Sequence, residues 1–155
     1  LAFFTFGEGY HNFHHIFEYD YRNGVKWWQF DPTKWMIKGL SYVGLTNNLR
    51  TCPEERIEKA KLEMQLKYAH DKAVTLPNAE EIVVKIQHEY DVLMQRMGEY
   101  YATKKRLVNM KKKNLQATYE RLELDFKYKE LKQTLAVQKL KWRTMYSFYL
   151  EPQTA

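Results

Sequence analysis

Three of the chain's five histidines fall within five residues: His11, His14 and His15 in Tyr10-His11-Asn12-Phe13-His14-His15. Helix positions three and four apart share a face. If this stretch is helical, His11 and His15 stand one turn apart with His14 beside them, and three imidazoles can converge on one small volume. Neutral imidazole is the commonest protein metal ligand. Clustered, it suits iron, zinc, copper or nickel better than calcium or magnesium. The spacing alone leaves two readings open, a metal site and a polar helix turn. Glu8, Glu18 and Asp20 are close enough in sequence to accept the second ring proton of a metal-bound histidine. Surface charge or loop hydrogen bonding would explain any one of them as well. No catalytic acid, base or nucleophile is assigned, and His70 and His88 stand apart as surface residues.

The flanks extend the motif. Gly7 and Gly9 free the backbone for a tight entry into the histidine helix. After it come Ile16-Phe17-Glu18-Tyr19-Asp20-Tyr21-Arg22, a turn signal at Asn23-Gly24, and Val25-Lys26-Trp27-Trp28-Gln29-Phe30-Asp31. This run, from Gly7-Glu8-Gly9 through the three histidines to the tandem tryptophan, resembles the last histidine box of membrane fatty-acyl desaturases. The Δ9 acyl-CoA and acyl-lipid group, especially its bacterial members, is the nearest in pattern. The resemblance reaches Leu45.

That resemblance implies a fold and a chemistry. The chain would be the C-terminal part of a mainly α membrane enzyme with a di-iron centre, and His11, His14 and His15 would be iron ligands. The irons would use O₂ to place a cis double bond, at Δ9, in a CoA- or lipid-linked acyl chain. Electrons would come from ferredoxin or cytochrome b5. The two other histidine boxes of the family are missing here, so this piece alone is expected to be inactive. No His-Pro-Gly-Gly string is present, so the tail is not a fused cytochrome b5.

Beyond the histidines, Pro32 and Asp31 predict the first turn and N-cap of a helix over 32–45. Trp35, Met36, Gly39, Leu40 and Val43 make its apolar face, and Lys34, Lys38 and Ser41 lie away from it. With Trp27, Trp28 and Tyr42 nearby, this helix suits a membrane interface or packing on the catalytic body. Thr51-Cys52-Pro53-Glu54 reads as a capping box opening a charged helix to about residue 73, whose apolar residues hold no clean stripe. Leu76-Pro77 breaks it, and Asn78-Ala79-Glu80-Glu81 opens the next helix.

From there to Tyr149 there is no proline and only one glycine, Gly98. About 70 helical residues would reach about 105 Å. Ile82, Ile86, Tyr90, Leu93, Met97, Tyr101, Val108, Leu115, Tyr119, Leu122 and Phe126 follow an eleven-residue repeat, with Lys104 and Lys112 in two of its slots. Leu124, Tyr128, Leu131, Leu135, Gln138, Trp142, Met145 and Tyr149 follow heptad steps. Such stripes must be buried. Either the tail folds into an antiparallel hairpin turning near Lys111-Lys112-Lys113-Asn114, or it self-associates as a coiled coil. The expected division is 1–50 as the end of a catalytic domain, 51–76 as a charged helix or linker, and 77–151 as a long helical extension.

Composition narrows the classes. The single Cys52 cannot make a disulfide within the chain and reads as an inert thiol on a reducing, cytoplasmic face. There is neither a signal-peptide pattern nor an apolar run of about 20 residues. The membrane spans of a multi-pass parent are expected upstream. Net charge is +6, but residues 102–146 hold thirteen lysines and arginines against four acids, so that segment carries +9 and the rest −3. A basic helix of this kind is most often a solvated face. Nucleic-acid binding is not expected, because neither a base-reading motif nor a stacking platform is evident. Two rival readings remain. One is a helical interaction module with an incidental histidine cluster. The other is a small zinc module in which Glu8 serves as acid or base.

Overall fold

The computed structural model describes residues 15–112 and 118–150. Among the described residues the chain is α-helical: α1 (Pro32–Tyr42), α2 (Glu54–Ala73), α3 (Ala79–Lys112) and α4 (Thr118–Leu150). They fall into two compact units that divide between Arg56 and Ile57, within the first turn of α2.

In the first unit, α1 starts as its sequence dictates. Pro32 occupies the first turn, where its missing N–H costs nothing, and the Asp31 carboxylate accepts the Lys34 N–H at 3.0 Å. The helix is shorter than the expected 32–45. Gly44 takes a left-handed φ of 76°. Its N–H reaches the Ser41 carbonyl, and the Leu45 N–H reaches that of Leu40. This paired C-terminal closure consumes the last free carbonyls and turns the chain away.

The second unit is a three-helix arrangement. Glu58 accepts from Tyr101 at the far side of α3, and Glu63 lies near Tyr90, so α2 and α3 run antiparallel. Contacts Tyr100–Tyr128, Arg96–Thr134 and Glu89–Gln138 make α3 and α4 antiparallel too. The hairpin solution is therefore the one adopted; the turn expected at Lys111–Asn114 extends beyond the described residues. Leu62, Ala69 and Ala73 from α2 join Ile86, Leu93 and Met97 from α3 and Leu135 and Trp142 from α4 in one apolar core. Contrary to expectation, α2 does carry a stripe: Leu62, Leu66, Ala69 and Ala73 step by four and three. Sequence reading misses it by weighting Met64 and Tyr68, which are 62% and 50% exposed, over the small alanines.

From Ile82 through Ile86, Tyr90, Leu93 and Met97 to Tyr101 the eleven-residue repeat is matched by packing, with Tyr100 packed beside Tyr101. Beyond Tyr101 it fails. Leu107 is buried, while Val108 is 45% exposed. Tyr119, Leu122 and Phe126, placed in the same repeat by spacing, are 82%, 63% and 73% exposed. That repeat runs across a chain reversal, and after a reversal the second helix takes its phase from its own packing. The heptad of α4 is borne out by packing: Leu135, Gln138 and Trp142 are buried and Leu124, Tyr128, Leu131 and Met145 half-buried. The side chains of Leu115 and Tyr149 lie outside the described ones.

Polar groups on the seam are paired. Gln138, buried, donates to Glu89 at 2.9 Å, and Lys141 donates to the other Glu89 oxygen at 2.6 Å. The Trp142 indole N–H meets Gln65 of α2, and Lys139 meets Glu58. Burial pushes the Glu89 carboxyl up, but hydrogen bonds from Lys141 and Gln138 outweigh it and leave the group below its ordinary value.

Gly98 lies exposed inside α3, and an added Cβ there would meet nothing within 4 Å. Gly98→Ala is expected to stabilise the second unit by about 1 kcal/mol, the helix-interior difference between the two residues. Urea unfolding followed by far-UV circular dichroism checks this.

Candidate metal centre

Of the three predicted ligands, His15 is described and His11 and His14 lie outside the described residues, as does Glu8. His15 and Ile16 are helical and exposed. The helix ends there in a turn, closed by the Asp20 N–H on the Phe17 carbonyl at 2.8 Å. Among the described residues no three histidine, cysteine, aspartate or glutamate side chains gather as a metal site.

After His15 the chain enters a loop held by two buried carboxylates. Asp20 is 1% exposed. Its Oδ1 accepts the Arg22 backbone N–H and Nε, and its Oδ2 accepts Arg22 Nη2 and the Cys52 N–H at 2.7 Å. Four donors fill the four acceptor positions of a carboxylate. Asp20 is therefore a loop anchor with no acceptor position left for a histidine N–H. It joins the loop after the histidines to the segment before α2, as does the Tyr21 N–H on the Arg50 carbonyl. Glu18 is exposed. Burial pushes the Asp20 carboxyl up, but the Arg22 guanidinium and the Cys52 and Arg22 N–H groups prevail and hold it below its ordinary value.

Asp31 is 0% exposed. One oxygen caps α1 and the other accepts the Asn23 and Gly24 N–H groups, each at 2.8 Å. Beside it Lys34 is buried, where the helix pattern had put it on the polar face away from the packed side. Its ammonium donates to the carbonyls of Gly24, Lys26 and Gln29 at 3.0, 3.1 and 3.4 Å. Burial lowers the Lys34 pKa, and the Asp31 charge opposes that shift. Gly24 is required by packing: a Cβ there would sit 2.8 Å from Gln29 Cβ. The signals for this knot were present as Asn23-Gly24 and Asp31-Pro32. Their union through one carboxylate was not legible.

Cys52 is buried and its sulfur accepts from the Tyr19 hydroxyl at 3.1 Å. Outside the knot the unit is apolar and open. Trp27 is 85% exposed, Met36 62% and Val43 69%, so the predicted apolar face of α1 is uncovered. Lys26 lies 5.1 Å from the centre of the Trp28 ring, in cation–π range. No described helix is long and apolar enough to cross a membrane.

Comparison with known proteins supplies the class. Acyl-CoA desaturase 1 of Saccharomyces cerevisiae is 49% identical over 71 residues, 46% of this chain and 14% of that protein. The sn-1 stearoyl-lipid 9-desaturase of Synechocystis is 46% identical over 54 residues, 35% of this chain and 17% of the relative. An acyl-CoA C20 Delta5-desaturase of Anemone leveillei is 48% identical over 62 residues, 40% of this chain and 19% of the relative. Neither a family model nor a solved structure matches. These matches make the chain similar, over 35–46% of its length, to acyl-CoA and acyl-lipid desaturases. It spans less than a fifth of the length of these three relatives.

The knot makes two outcomes testable. Asp31→Ala removes a helix cap and leaves the buried Gly24 N–H and the half-buried Asn23 N–H without an acceptor. It should cost about 2–4 kcal/mol in the first unit, seen as faster hydrogen exchange at the Asn23 and Gly24 amides. For Asp20 the folded pKa lies below the unfolded one, so its contribution is present above the ordinary carboxylate range. It is lost as pH falls through that range toward the folded value. Exchange protection of the Cys52 amide should fall over that acid interval, and Asp20→Asn should flatten the dependence.

Proposed function

We propose that this chain carries the last histidine segment of an O₂-dependent fatty-acyl desaturase, with His11, His14 and His15 as iron ligands. The observation that carries the reading is the coincidence of desaturase matches with the H-x-x-H-H spacing. The donor set fits the metal in kind, since imidazole nitrogen suits iron. Three ligands are too few for two irons, so the remaining ones would come from sequence outside this chain. On this reading the parent is a multi-pass membrane enzyme, residues 1–50 end its catalytic domain on the cytoplasmic side, and 77–151 form an extension linked through 51–76. The segment by itself is inactive.

Bound iron would supply the activation of O₂ and the removal of hydrogen from a methylene pair of an acyl chain. The protein's own part, on this reading, is positional. His15 stands at the end of a helix, and the turn beyond it is tied down by Asp20 and Arg22, five and seven residues later. A ligand on such a stop keeps its direction without depending on a mobile loop. The open apolar face of α1, with Trp27 and Trp28, suits contact with the rest of the catalytic body or the membrane interface. Ferredoxin or cytochrome b5 would deliver electrons. The resemblance to Δ9 enzymes supports a Δ9 product from a CoA- or lipid-linked substrate.

The test is expression of the full-length parent in a desaturase-deficient host. The parent should produce monoenoic fatty acids, and His11→Ala, His14→Ala or His15→Ala should each abolish them while membrane insertion persists. Iron content of the purified protein should fall in the same variants. Unchanged monoenes in any of the three would remove that residue from the ligand set. Mass spectrometry of the product places the bond at Δ9 on this reading; a Δ5 product would correct the regiochemistry without touching the iron assignment.

A further inference from the structure

Between α2 and α4 the second unit leaves a cleft of about 220 Å³. A cavity of about 150 Å³ takes benzene, and drug-sized sites run to roughly 300–1,000 Å³. This cleft therefore suits a fused pair of rings. Its apolar lining is aromatic. Trp142, 3% exposed, lines it from α4, and Tyr146 stacks on the indole with ring centres 6.4 Å apart. Such a surface receives a flat apolar body.

The polar groups around the rings are mostly donors. The Gln65 side-chain oxygen accepts the Trp142 indole N–H at 3.0 Å. That bond fixes the orientation of the amide, whose nitrogen is left with two N–H groups to give. Lys61 on α2 and Arg143 on α4 both line the cleft and are exposed. Neither makes an ion pair with any other described residue. The carboxylate in the lining is Glu58, and its oxygens are engaged: one accepts from the Tyr101 hydroxyl at 3.0 Å and the other from Lys139. Glu58 and Lys139 cancel, so Lys61 and Arg143 leave the cleft with two positive charges. An anion is the complement of that arrangement. The planar fork of an arginine matches a carboxylate through two parallel N–H···O bonds.

We propose that the cleft between α2 and α4 binds a small aromatic carboxylate, its rings against Trp142 and Tyr146 and its acid group between Lys61 and Arg143, with the Gln65 amide as a further donor. The inference does not rest on the desaturase reading, since it uses only the second unit.

The test is a titration of the 155-residue chain with naphthoate, followed in nitrogen–proton correlation spectra. The Trp142 indole N–H signal should move saturably, while those of Trp27, Trp28 and Trp35 stay in place. A Trp142 signal that does not move, or moves no more than the other three, overturns the proposal. Two further ligands separate rings from charge. Naphthylmethanol keeps the rings without the acid group and should bind about tenfold more weakly, the scale of a lost charged hydrogen bond. Inorganic phosphate has charge without rings and should leave the Trp142 signal unmoved. Equal binding of the alcohol, or an equal response to phosphate, overturns the assignment. Lys61→Gln/Arg143→Gln should raise the naphthoate dissociation constant about tenfold or more. Helix content should be unchanged, because both side chains are exposed. A folded double variant that binds as tightly as wild type also overturns the proposal.

Discussion

A carboxylate withdrawn from water must be met by donors, and at Asp31 that requirement builds most of the first unit. With the side chain at 0% exposure, every lone pair left unmet would cost more than a typical hydrogen bond returns. Three backbone N–H groups answer it, one from the start of α1 and two from the turn at Asn23-Gly24. The buried Lys34 ammonium then serves the carbonyls of the same loop. Helix start and loop shape become one event. Asp20 repeats the device one loop earlier with Arg22 and the Cys52 N–H. The result is a small, polar-cored platform immediately after His15, in a segment with few buried apolar side chains.

The second unit solves a different problem by ordinary means. Two long helices share a seam, and α2 covers it with leucine and alanine. The paired polar contacts across it, Gln138 with Glu89 and Trp142 with Gln65, specify register more than they add stability. A slip of the seam would leave the Glu89 carboxylate and the Trp142 N–H without partners. The two units thus differ in what holds them. One fixes its loops by polar bonds to buried carboxylates. The other is a packing module of three helices around one apolar core.

On the proposed metal reading, the likeness to desaturases and the polar platform bear on one point. A ligand at the end of a helix keeps its aim only if the chain around it is tied down. Here the ties come from Asp20, Arg22 and the Arg50–Cys52 stretch that precedes α2. The histidines are a local pattern; the stiffness behind them draws on residues some thirty positions later.

Sequence alone determined the things that depend on neighbours in the chain. The histidine triplet, the Asp31–Pro32 helix start, the opening of α2 after Pro53, the break at Pro77, and the heptad of α4 all come from local spacing and local stereochemistry. Tertiary structure decided whatever required a remote partner. It chose the hairpin over a single long helix, moved the α3 seam from Val108 to Leu107, made alanines the packing face of α2, and buried Lys34 on a surface that helical periodicity had marked as polar. Each of these depends on which group arrives from elsewhere, and hydrophobic spacing carries no record of a carbonyl or a carboxylate waiting across the fold.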